Sequence, residues 1–214
     1  TTDTTLTQVL LFIADILKIF LGAFLGAVCA FIYERRRKKD EDCFKRQTAL
    51  RDDQFGLYSR IGSLLNIHTQ YLAEQKSNPN RWVELRPVLS VTTPSPIPLA
   101  ELSFLLDDID PSLLENLYVA CDKFDSVLAI VAHRNEIHNE FQRMYEKKEN
   151  SERLHVQLTS FTDYLYAQLP DALAYMHTVF GNLEQVMQQH FKGVTALRYG
   201  KEMEKSISDL QPVA

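Results

Sequence analysis

Apolar residues run almost unbroken from Val9 to Tyr33 (VLLFIADILKIFLGAFLGAVCAFIY), and the run stops at Arg35-Arg36-Arg37-Lys38-Lys39. As a helix these 25 residues extend roughly 37 Å, more than the ~30 Å hydrocarbon core of a bilayer. The pattern predicts one transmembrane helix followed by a basic flank. Bases on the C-terminal side of a span favour retention of that side in the cytoplasm. Thr1–Gln8 carries one acid and no base, which agrees with an N-terminus outside and the bulk of the chain inside, at the inner (cytoplasmic) membrane. A cleaved signal peptide needs the reverse order, bases first and small residues after.

Beyond the flank the pattern becomes amphipathic, and residues 40–214 read as one helical domain. Asp40–Lys76 contains no Pro and two Gly, Gly56 and Gly62. Tyr58, Ile61, Leu65, His68 and Leu72 recur there at the three-to-four spacing of a buried helix face. His68 on that stripe reads as a core histidine. Asp110-Pro111 supplies an N-cap and a first-turn proline. Leu114, Leu117, Cys121, Phe124, Leu128 and Val131 then mark a second long helix running to about Lys148. A third helix is expected over Ser151–Gln168. Pro170 starts or kinks a fourth, with Leu173, Met176, Phe180, Leu183 and Met187 inside and Gly193 near its end. From Thr195 the chain reads as weakly helical and frayed. The expected fold is all-α, a transmembrane anchor over 1–39 and a cytoplasmic helical bundle over 40–214.

One segment interrupts the helices. Residues 77–99 hold Pro79, Pro87, Pro94, Pro96 and Pro98 together with the only tryptophan, Trp82. Val83–Val91 has strand-forming residues, but Pro87 restricts it to an edge strand or a loop. A connection this long in a compact domain is either functional or poorly ordered.

Charge narrows the range of partners. The first 39 residues hold six bases and three acids, so 17 bases face 25 acids in the rest, a net charge of about −8. Such a domain does not bind nucleic acid by bulk attraction, although a local basic pocket can take a small anion. The three cysteines, Cys29, Cys43 and Cys121, are scattered and form neither a disulfide framework nor a metal spacing. Glu152-x-x-His155 occurs once, where a di-iron bundle needs two such pairs. No phosphate-cradling glycine loop or nucleophile-elbow motif is present. No metal or cofactor is expected.

Two features inside the apolar run go beyond anchoring. Gly22, Gly26 and Ala30 repeat every four residues, a stripe that lets helix backbones approach closely and predicts a homo-oligomer. Asp15 and Lys18 lie three apart on one face. They are either interfacial, with Lys18 reaching outward along its aliphatic stem, or a functional pair facing a partner or a water-filled path.

The densest polar cluster is Ala132–Glu140, with Arg134, Asn135 and His138 at its centre. It resembles the Arg-Asn…His signature of HEPN ribonucleases, in which a longer stretch separates the Arg from the His. The plan as a whole, with Pro98–Leu114 and Arg134-Asn135, resembles a widespread set of bacterial single-pass membrane proteins. Some proteins of this plan are anti-phage effectors, including membrane effectors activated by cyclic oligoadenylates. That resemblance implies a non-enzymatic, signal-responsive membrane effector whose cytoplasmic domain binds a ligand, with Arg81, Trp82, Arg86, Arg134 and His138 as candidate contacts. The alternative is a membrane-tethered scaffold or assembly subunit, and the HEPN likeness leaves a ribonuclease as a minor one.

Overall fold

The computed structural model describes the backbone of residues 2–88, 94–148, 150–191 and 197–208. Side chains are described from residue 17 onward within these ranges, except at 107, 108, 201, 202 and 208. Among the described residues every regular element is helical. In chain order they are α1 (Thr2–Ile67), a π turn (His68–Leu72), α2 (Arg81–Glu84), a 3-10 turn (Leu99–Leu102), α3 (Phe104–Asp108), α4 (Pro111–Glu146), α5 (Glu152–His190) and α6 (Lys201–Ser208). The chain forms two compact units, 1–45 and 46–214.

The first unit is helix throughout its described length. It contains a window of mean hydropathy 1.7 of which none is buried in protein, so it is long and apolar enough to cross a membrane. Phe20, Phe31 and Tyr33 each expose about two thirds or more of their surface. Glu34–Lys38 and Arg37–Glu41 pairs lie along its basic flank. A side-chain carbon added at Gly22 or Gly26 would meet nothing within 4 Å. Asp15, one half of the intramembrane pair, lies outside the described side chains, and Lys18 lies within them.

The second unit is built on α4 and α5, with the α1 residues Ala49–Ile67 in the same core. Asp110 caps α4 as expected: its Oδ1 accepts from the Ser112 N–H at 3.0 Å, and Pro111 takes the first turn. Leu113, Leu117, Ala120 and Phe124 are fully buried beneath it.

Two expectations differ from the structure. The third and fourth helices are one, with Pro170 in the interior of α5. An internal proline costs about 3 kcal/mol. Leu165, Leu169, Leu173 and Met176 are buried on both sides of it, and each contributes about 1.5–3 kcal/mol, so packing outweighs the lost backbone bond. Residues 197–208, expected to fray, dock instead. Tyr199 packs on Phe180 (4.2 Å between ring centroids), His177 and Tyr58, and Ile207 is 2% exposed. Gly193 lies outside the described residues, and α5 ends at His190.

The connector between the π turn and α3 forms no strand over its described part. Arg81–Glu84 is a helical turn, and Leu85–Val88 is irregular.

Candidate functional site

Val127, Ile130, Val131, Arg134, Ile137, His138 and Phe141 form the buried stripe of the second half of α4. Arg134 and His138 therefore stand where the helical period requires inward-facing side chains, and they are 1% and 3% exposed. Among the described residues no carboxylate pairs with Arg134. Its Nε donates to Thr162 Oγ1 (3.0 Å), and its Nη2 donates to the carbonyls of Leu85 (2.7 Å) and Trp82 (3.1 Å). Burial pushes the guanidinium down to about 10, with the nearby Tyr166 acting the other way. It remains a cation at neutral pH.

Asn135, the next residue, completes the attachment. Its Nδ2 donates to the Val88 carbonyl (3.0 Å) while its Oδ1 accepts from the Val88 N–H (3.2 Å). The carboxamide thus satisfies both backbone groups of one connector residue, as a neighbouring strand would. Arg134-Asn135, which resembles a catalytic signature, here fastens the connector 82–88 to α4. His138 is held low by burial and by the Arg134 charge, so it is neutral. Its Nε2 lies 3.1 Å from Gln142 Nε2, and its buried Nδ1 has no partner among the described residues.

This attachment sets Trp82 at the surface. The indole packs against the His155 ring (centroids 4.0 Å apart) and meets Phe141 edge-on at 5.4 Å. Phe141 in turn stacks with Tyr145. Trp82 borders two grooves. One, of about 340 Å³, is lined by Lys76, Ser77, Asn78, Pro79, Arg81, Trp82, Thr159 and Asp163. Arg81 there pairs with Asp163 at 2.8 Å and lies over the Tyr166 ring. The other, of about 600 Å³, is mostly apolar and is lined by Val83, Phe141 and Tyr145 with Gln142 and Glu146 at its rim.

The five candidate contacts therefore do not converge. Arg81 and Trp82 share the polar groove. Arg86 lines a separate one of about 430 Å³ with Tyr71, Glu74 and Glu84. Arg134 and His138 are inside the fold. Among the described residues no three His, Cys, Asp or Glu side chains are grouped to hold a metal ion.

The sequence reading missed Phe141 and Tyr145, which continue the α4 stripe one and two turns past Ile137. It also missed a polar set on α1. Asp53, Gln54 and Arg60 interrupt the buried stripe Leu50, Leu57, Ile61 and Leu64. Their positions at that spacing are the signal that could have found them.

No protein-family profile, no curated protein and no solved structure matches the chain.

Proposed function

We propose that the chain is a single-pass membrane effector, N-terminus out, whose cytoplasmic helical unit answers a small anionic ligand and whose clustered spans perturb the membrane. The observation that carries this reading is the continuity of α1. No non-helical residue separates the apolar stretch from Leu50, Leu57, Ile61 and Leu64 in the core, so a change of packing around α1 has a direct covalent route to the span. The groove holds Lys76 and Arg81 with Asn78 and Thr159 beside Trp82, and an anion there would replace Asp163 as the partner of Arg81. Phosphate oxygens suit the two cations, and a base stacked on the half-buried indole would contribute about 1–3 kcal/mol. Gly22, Gly26 and Ala30 are open for contact with a second copy.

The test is dye release from liposomes carrying the full-length protein, with a panel of cyclic oligoadenylates as the probe. Release that depends on one member of the panel, and that Arg81→Ala and Trp82→Ala together abolish, is the expected result. A Gly-Ser insertion after Lys39 should retain binding and lose release. Release that persists after the insertion refutes the coupling through α1.

The second reading, a membrane-tethered scaffold, is favoured by the apolar groove at Phe141 and Tyr145, where Tyr145 is 71% exposed. It predicts no release with any ligand, and pull-down of a partner protein that Tyr145→Glu prevents.

A further inference from the structure

Asp53 is wholly buried on α1, and among the described residues neither carboxylate oxygen has a hydrogen-bond partner. A buried, unpaired carboxylate is costly in its charged form, so the group is stable there only with its proton on. The groups facing it sharpen this. Asp52 on α1 and Glu101 on the 3-10 turn repel its negative charge, while Arg60, two turns along α1, attracts it. From α4, Cys121 faces the same cluster, with Asp125 beside the thiol.

Arg60 is the only cation in that set, and its guanidinium is engaged elsewhere. Nη1 donates to the Gly56 carbonyl (3.1 Å) and Nη2 to the Ser95 carbonyl (3.0 Å). Its Nε is buried without a hydrogen-bond partner among the described residues. The Ser95 bond ties the proline-rich connector to α1. Ile97 completes the contact by lying on Gly56, where an added side-chain carbon would meet Ile97 Cγ1 at 3.2 Å. Arg60 therefore holds the connector carbonyl through a hydrogen bond, while its charge is felt at the Asp53 carboxyl, which it does not bond.

We propose that Asp53 and Arg60 form a proton-operated latch on the connector 94–102. With Asp53 neutral, Arg60 holds Ser95 and the connector is closed on α1. When Asp53 loses its proton, the new carboxylate draws the guanidinium away from Ser95, and the connector lifts. Burial, with Asp52 and Glu101, raises the Asp53 carboxyl to about 7, so the exchange of partners falls near neutral pH. The latch acts on the α1 face that enters the core, and it does not depend on the identity of any ligand.

The experiment is hydrogen–deuterium exchange of peptides covering 94–102 in the full-length protein in detergent, at pH 6 and pH 8. Rates are referred to the intrinsic rate at each pH. Opening should increase at least about tenfold between the two in the wild type. Asp53→Asn keeps the neutral shape without a titrating proton, so the connector should stay closed at both pH values. Glu101→Gln removes one of the charges that repel an ionised Asp53, so the transition should be retained with its midpoint shifted downward. Equal opening at pH 6 and pH 8 in the wild type overturns the proposal. So does a pH response that survives Asp53→Asn or disappears in Glu101→Gln.

Discussion

Arg134 shows how one residue can be misjudged when its chemistry is read without its position. Beside His138 and Glu136 it looks like part of a polar, solvent-facing cluster. Its place on the stripe of Ile130, Val131 and Ile137 puts it in the core, and the partners it finds there are backbone carbonyls 49 and 52 positions away, which no local pattern encodes. Arg134→Ala removes three hydrogen bonds and leaves Leu85 and Trp82 carbonyls unmet. A loss of about 2–4 kcal/mol in chemical denaturation is expected, and Arg134→Lys should recover only part of it because one ammonium cannot span the same acceptors. Asp53 makes a prediction of opposite character. Its folded form holds a proton up to about pH 7, whereas the unfolded chain releases it near pH 4. The folded state thus binds more protons across that window, and stability should fall as pH rises from about 4 to 7 and level off above. In Asp53→Asn this part of the slope should vanish from denaturation midpoints measured across the same range.

At the scale of elements, α1 and α4 were legible because their apolar residues keep the helical period and because Asp110-Pro111 marks a start. The unity of α5 was not. Pro170 obeys a local rule that ends helices, and what overrides it is burial against α4, which belongs to the fold as a whole. Replacing Pro170 by Ala restores a backbone donor without removing a buried side chain. The melting temperature should therefore rise, by an amount corresponding to about 1–3 kcal/mol; a fall would mean that the proline ring itself is a packing element. The connectors show the opposite failure. Leu85–Val88 and Leu197–Tyr199 have too little periodicity to read, and they are positioned by side chains that belong to distant helices.

For the molecule as a whole, the sequence made the all-α class and the apolar N-terminal helix plain, and left the grooves beside Trp82 out of reach because they form where three distant segments meet. The proposed orientation rests on Arg35–Lys39. Neutral residues at all five positions should scramble the topology, as read by reporters active on only one side of the membrane. Gly26→Leu should weaken self-association in mild detergent, since a large side chain would stand where a neighbouring backbone must approach. Asn135 and Gln54 have a wider consequence. Each carboxamide meets both the N–H and the C=O of one connector residue, Val88 and Leu197 respectively, so two rungs of a ladder are made by side chains, and among the described residues no strand is present. Their signature would be two slow amide protons, those of Val88 and Leu197, whose protection disappears in Asn135→Ala and Gln54→Ala respectively.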